Sequence, residues 1–201
     1  WLQQGKRLGD KVDGRIHEWL PNELPSRCGA WGGSYKPKNS ASHEPTNPNI
    51  STAMALSINT AFMSMASQLD LCDIRDTALA FGVHRADGAD LEFIPASVLG
   101  VNEIAPLTMA VAEAALPNQG IVCTPIAIDR VVVRATGKEM PVPKSNCTQA
   151  TTPEVAAAVV SAMRGVIKGG TAGLSNTGDG VDGDATACEG CGVEQFADSA
   201  K

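Results

Sequence analysis

The sequence predicts an α/β (α+β) fold in which helices lie beside a small antiparallel sheet. Three observations carry this. Apolar residues recur at helical spacing in residues 59–69, 106–115 and 153–168. Only "TPIAIDRVVVR", residues 124–134, alternates and is rich in β-branched residues, the pattern of a strand. Thr136 and Gly137 then make a turn, and "KEMPV" is placed to return as the hairpin partner.

The elements follow in order. Residues 1–20 form a short helical or loop segment carrying Trp1, Leu2, Leu8, Ile16, Trp19 and Leu20. Residues 21–49 are dense in Pro, Gly, Asn and Ser and read as one long ordered loop. A loop of that length is functional or is pinned, and Cys28 could supply the pin. Asn49 or Ser51 can cap a helix running to about Leu56, since either side chain can accept from an orphan backbone N–H. A second helix starts near Asn59, with Phe62, Met65, Ala66 and Leu69 as its expected buried face. A third spans roughly Ile74–Phe81 and ends at Gly82, which can take a left-handed C-cap. Pro106 opens a fourth, closed by Pro117 and Gly120. The strand and its return follow; Pro141 confines the return to a sheet edge, because proline donates nothing to the ladder. Thr151 or Thr152 caps the last helix, Glu154 sits in its first turn, and Gly169–Gly170 stop it. The sequence then turns rich in Gly, Asp and small residues, and 181–201 is expected to be a divergent, poorly ordered tail.

Composition narrows the function. The 201 residues are 43% hydrophobic and 19% charged, which suits a globular domain with a sizeable core. Aromatics are only 4%, so that core relies on Ala, Val, Leu, Ile and Met. A net charge of −6 argues against a nucleic-acid partner, which needs a basic face. No run is long and apolar enough to span a bilayer, and no signal peptide is visible. The opening "WLQQGKRLGD" reads as the inside of a domain. The six cysteines, Cys28, Cys72, Cys123, Cys147, Cys188 and Cys191, are even in number and widely spread, which suits disulfides in an oxidising compartment. Only Cys188 and Cys191 have metal-like CxxC spacing, and a structural zinc site needs a second pair that is absent.

"MALSINTAF", residues 54–62, poses a problem. It reads as helix, yet Ser57, Asn59 and Thr60 sit at its centre, and such residues favour caps and turns. One answer is that Ser57 and Asn59 cap two adjoining helices. The other comes from context. "ALSINTAF" is followed by "LDLCDIRDTALAFGVHRADG", "PASVLGVNEIAPLTMAVAEAALPNQGIVCTPIAIDRVV", "GKEMPVP" and "PEVAAAVVSAMRGVIKGGTAG". Together these phrases, "LGVNEIAPLTMA" most of all, resemble the transpeptidase domain of bifunctional (class A) penicillin-binding proteins. The resemblance covers Trp1 to about Gly180, so residues 1–180 are expected to be a partial transpeptidase domain.

That resemblance implies a partial serine transpeptidase, β-lactamase-like fold whose central strands are partly missing. It implies peptidoglycan D-Ala-D-Ala transpeptidation through a serine acyl-enzyme, with stem peptides as substrate and β-lactams as trapping agents. The superfamily carries S-x-x-K, S-x-N and K-T-G motifs. Ser57 would be a proton relay to the leaving amine, and Asn59 would hold the lysine and the substrate backbone. No metal or organic cofactor is implied. S-x-x-K is expected upstream of Trp1, and K-T-G appears nowhere in the 201 residues, so the chain is expected to be an excised, truncated or degenerate piece, inactive alone. A membrane anchor and a glycosyltransferase domain would belong to the missing N-terminal part, and the location would be extracytoplasmic, at the outer face of the membrane.

Other residues offer weaker chemistry. Ser34 and Lys36 are S-x-K, and residue 37 is proline, so they cannot share a helix face as S-x-x-K does. His17, His43 and His84 lack any spacing to a partner cluster, and Glu103 and Glu113 form no acid–base pair. Glu103 in "GVNE" instead suits a structural hydrogen-bonding role. Gly169, Gly170 and Thr171 lack the G-K-[ST] of a phosphate loop. Among the cysteines, Cys123 lies about as far before the Thr136–Gly137 turn as Cys147 lies after it, so a hairpin would bring them within disulfide reach. Cys28 paired with Cys72 would fasten the long loop beside the cleft. Six reduced thiols remain the alternative. Two other classes also stand: a non-catalytic wall-binding or scaffold protein of the same fold, and a redox or metal protein using Cys188 and Cys191.

Overall fold

A computed structural model describes residues 1–41 and 44–173. His43, Cys188, Cys191 and the expected tail 181–201 lie outside the described residues. Five helices are present among the described residues: α1 (Ile50–Ala55), α2 (Asn59–Ala66), α3 (Leu71–Ala80), α4 (Pro106–Ala114) and α5 (Pro153–Gly169). Four short strands accompany them: β1 (Ile121–Cys123), β2 (Val131–Val132), β3 (Glu139–Met140) and β4 (Cys147–Gln149). β1 pairs antiparallel with β4, and β2 with β3.

Local chemistry sets the helix ends. Asn49, not Ser51, caps α1: its side chain accepts from Thr52 N–H at 2.8 Å. Thr152 caps α5 by accepting from Val155 N–H, and Glu154 lies in that first turn, where the helix dipole favours an anion. Its hydrogen bonds hold the Glu154 carboxyl below the usual range. α3 begins three residues before the expected start, because Asp70 caps it by accepting from Cys72 N–H at 2.8 Å.

Two buried clusters meet around α2. Val12, Ile50, Ala53, Ile58 and Ala61 form one; Leu24, Trp31, Met63, Ala66 and Leu71 form the other. The expected face of α2 is therefore corrected: Ala66 and Leu69 are buried, but Met63 is fully buried where Phe62 and Met65 are only partly so. A helix packed on two sides has no single apolar stripe to read. Phe62 and Met65 instead line an apolar cavity of about 400 Å³, walled also by Trp1, Met54, Phe81 and Val159.

The strand expected over 124–134 shrinks to Val131–Val132. The hairpin with Glu139–Met140 exists, and Gly137 supplies its turn at φ 65°. Val131, Val132 and Met140 stand exposed, so little apolar burial rewards a longer ladder. The ladder nearer the helices is β1–β4, which stops beyond Thr124 because Pro125 has no N–H.

Cys123 lies directly opposite Cys147 in that ladder, and the two are disulfide-bonded with Cα atoms 4.0 Å apart. Cys28 is bonded to Cys72 at a Cα separation of 6.0 Å, joining the long loop to the first turn of α3. Arg27 reinforces this joint through ion pairs with Asp70, Asp73 and Asp76.

Candidate active site

The S-x-N segment is the tight junction between α1 and α2. α1 ends at Leu56, and Ser57 then adopts φ 56°, a left-handed conformation uncommon outside glycine. Ser57 N–H donates to Met54 carbonyl at 3.2 Å and Ile58 N–H to Ala53 carbonyl at 3.0 Å. Ile58 is fully buried, so it nails the turn to the core while Ser57 stays exposed.

Neither side chain caps a helix, although Ser57 closes α1 through its backbone as the left-handed residue after the C-cap Leu56. The N-cap of α2 is Ile58, which offers no side-chain acceptor, and Asn59 is the first helical residue. Asn59 Nδ2 donates to the Lys38 carbonyl at 2.9 Å. Ser57 Oγ makes no hydrogen bond among the described residues. The two side chains are thus not spent on helix ends, and the helix-closing duty of Ser57 falls to its backbone alone.

The surrounding loop was not legible in sequence. Asn39 Oδ1 accepts from Thr60 N–H at 3.0 Å, and Asn39 Nδ2 donates to Thr60 Oγ1 at 2.9 Å. Thr60 Oγ–H donates to Gly14 carbonyl at 2.6 Å. Asp13 N–H, one residue away, donates to Ser64 Oγ at 3.2 Å. The only sequence signal was a buried-looking helix with Thr60 inside it; a polar residue there demands partners. On the far side, Thr171 N–H donates to Ala55 carbonyl at 3.0 Å, which ties the end of α5 beneath the same junction.

The other candidates are placed elsewhere. Ser34 Oγ donates to Glu18 Oε1 at 2.7 Å, and Lys36 Nζ lies 3.9 Å from the same carboxylate. His17 pairs with Glu23 at 2.9 Å and meets Trp19 edge-on. His84 Nδ1 is 2.9 Å from the Gly82 carbonyl, and its Nε2 is 3.4 Å from Thr108 Oγ1. The hydrogen-bonding role expected of the Glu103 side chain falls to Asn102, whose amide makes two bonds to the Glu92 backbone; Glu103 serves through its backbone carbonyl, which accepts from Ala86 N–H. Thr171 gives its N–H to protein, which leaves it unavailable to a phosphate. Among the described residues no three His, Cys, Asp or Glu side chains are grouped to hold a metal ion.

Helices beside a small antiparallel sheet, with a polar S-x-N junction exposed between two helices, define a serine transpeptidase type of fold. The sequence profile of the penicillin binding protein transpeptidase domain matches residues 22–185, and the chain belongs to that family. Similar solved structures include penicillin-binding protein 1A from Haemophilus influenzae, with TM-score 0.69 and 18% identity over 84% of this chain and 28% of that one. The penicillin-binding protein PonA1 from Mycobacterium tuberculosis gives TM-score 0.64 and 23% identity over 83% of this chain and 43% of that one. Penicillin-binding protein A from M. tuberculosis, solved as an imipenem acyl-enzyme complex, gives TM-score 0.62 and 19% identity over 83% of this chain and 40% of that one. The chain thus spans less than half the length of each. Among curated proteins none matches it.

Proposed function

We propose that this chain is the S-x-N-bearing part of a peptidoglycan D-Ala-D-Ala transpeptidase. The observation that carries the reading is Ser57: an exposed hydroxyl, held in the left-handed turn that closes α1, with no hydrogen-bond partner among the described residues. In the reaction, a nucleophilic serine from S-x-x-K attacks the D-Ala-D-Ala carbonyl. Ser57 Oγ–H passes a proton to the departing D-Ala amine and takes one back from the S-x-x-K pair. Asn59 orients that lysine and the substrate backbone; with one N–H on the Lys38 carbonyl, its amide still offers one donor and an acceptor. A second stem peptide's amine then takes the acyl group.

S-x-x-K belongs, on this reading, to a helix before Trp1. The apolar cavity supports this. Trp1 is part of its wall, as are Met54, three residues before Ser57, and Phe62, three residues after Asn59. A helix seated there would touch both flanks of the S-x-N junction. The two disulfides suit an extracytoplasmic location at the cell wall. The imipenem acyl-enzyme of a structural neighbour supports β-lactam trapping once the three motifs are together.

Labelling with fluorescent penicillin tests the proposal. The 201-residue chain is expected to take no covalent label, and the full-length protein to take one per molecule. A penicilloyl adduct on Ser57 or Ser34 of the short chain overturns the assignment. A full-length protein that binds peptidoglycan but takes no label is instead a wall-binding scaffold of the same fold.

A further inference from the structure

The first turn of any α-helix presents N–H groups without intrahelical partners, and the residue before it normally supplies an oxygen. α2 cannot do this for itself. Its N-cap is Ile58, a buried aliphatic residue with no acceptor. The second residue of the helix, Thr60, nonetheless has its N–H satisfied, by Asn39 Oδ1 from a loop 21 residues earlier. The same amide closes a second bond, Nδ2 to Thr60 Oγ1, and the Thr60 hydroxyl passes its own hydrogen to Gly14 carbonyl. Next to it, Lys38 carbonyl receives Asn59 Nδ2.

We infer that Asn39 is a positioning residue of the active site: a cap supplied from a distant loop, which fixes the S-x-N turn and frees its side chains. The inference rests on the reading of Ser57 and Asn59 as active-site groups. Its logic is one of competing duties. Had residue 58 been Ser, Thr, Asp or Asn, it could have capped α2 locally, but Ile58 is needed in the core to hold the turn. Had Ser57 or Asn59 turned to the orphan N–H groups, neither would be available to a substrate. Asn39 takes that duty, and Thr60, 2% exposed, gives the network a rigid seat out of water. The neighbouring Lys38 carbonyl also holds the Asn59 amide, so the loop sets that amide's orientation as well as the helix's.

The test uses the full-length protein and resolves β-lactam acylation into pre-covalent binding and the acylation step. Asn39→Ala is expected to slow the acylation step about 10–100-fold, the scale of a misplaced reacting group, with binding altered about threefold or less. Asn39→Asp keeps the acceptor for Thr60 N–H but loses the Nδ2 donor to Thr60 Oγ1, and is expected to restore part of the lost rate. Thr60→Ser should behave as the parent and Thr60→Val should lose part of the rate. Asn39→Ala acylating at the parent rate overturns the inference, as does a loss that Asn39→Asp restores in no part while both variants melt as the parent does. Should Asn39→Ala not fold, Thr60→Val decides, and parent-like acylation there overturns it. A parent protein that never acylates, or a Ser57→Ala variant that acylates normally, refutes the functional reading instead.

Discussion

Replacing Ser57 by glycine should make this protein at least as stable while removing a group it needs. Ser57 sits at φ 56°, where an L side chain crowds its following carbonyl at a cost of about 1–2 kcal/mol. Glycine relieves that cost but adds freedom to the unfolded chain, worth about 0.4–1 kcal/mol in the other direction. Because the side chain is exposed and makes no hydrogen bond among the described residues, none of those is lost. Ser57→Gly is therefore expected to change stability by roughly 0 to +1.6 kcal/mol, a rise of up to about 3–6 °C in melting temperature for a chain of this size. Ser57→Ala, still strained, should stay within about 0.5 kcal/mol of the parent. Ser57→Val, branched at Cβ, should lose about 1 kcal/mol or more. Thermal and urea unfolding under oxidising conditions give the order Gly ≥ Ser ≈ Ala > Val. A glycine variant less stable than the parent by more than about 1 kcal/mol, or a valine variant as stable as serine, would refute the left-handed turn and the strain built on it. In the full-length protein all three should lose acylation equally, since all three lack the hydroxyl.

The disulfides should differ slightly in worth: chain entropy gives about 4 kcal/mol for Cys28–Cys72, with separation 44, and about 3.4 kcal/mol for Cys123–Cys147, with separation 24. Double Cys→Ala variants in urea unfolding check both figures, and free thiols at all four positions in protein from an oxidising compartment would refute both bridges. Gly170→Ala should cost about 1–3 kcal/mol, because its Cβ would lie 2.1 Å from the Ala55 carbonyl oxygen, whereas Gly169→Ala meets nothing within 4 Å and should be neutral or mildly stabilising; paired melts decide it. The Arg85 guanidinium beside Asp87 lowers its carboxyl from the ordinary 3.8 to about 2. Its folded pKa being depressed, the pair contributes fully above pH 3.8, fades as pH falls towards 2, and is screened by salt because Asp87 is exposed. Carboxyl NMR titration should find the Asp87 midpoint near 2 in the parent and raised in Arg85→Gln, short of a full return because the Ala89 N–H still donates to the carboxylate.

What could be read without coordinates was whatever is encoded within a few residues. Asn49, Thr152, Pro106 and the Gly169–Gly170 stop act on their own backbone or the adjacent turn, so helix ends were legible where such residues stand. Asp70 is equally local, accepting from Cys72 N–H two residues on. The serine and asparagine at 57 and 59 were conspicuous because they contradict the propensity of their neighbours, and such conflicts gather at functional sites.

Tertiary structure decided the rest. Whether 124–134 becomes a strand depends on what covers it, and exposed Val131 and Val132 gain too little from pairing to extend it. Which side of α2 is buried depends on the residues outside the helix that complete its two clusters, among them 12, 24, 31, 50 and 71. The left-handed turn at Ser57 exists because buried Ile58 pulls the chain inward. The cap that Ile58 cannot supply comes from Asn39, which the sequence places in an unremarkable loop. By itself the sequence determined the family, the helices and the two residues that break their pattern, because propensity and capping are local. Their availability for chemistry rests on hydrogen bonds that span 21 and 46 residues, and such pairings form only once the core has brought the loops together.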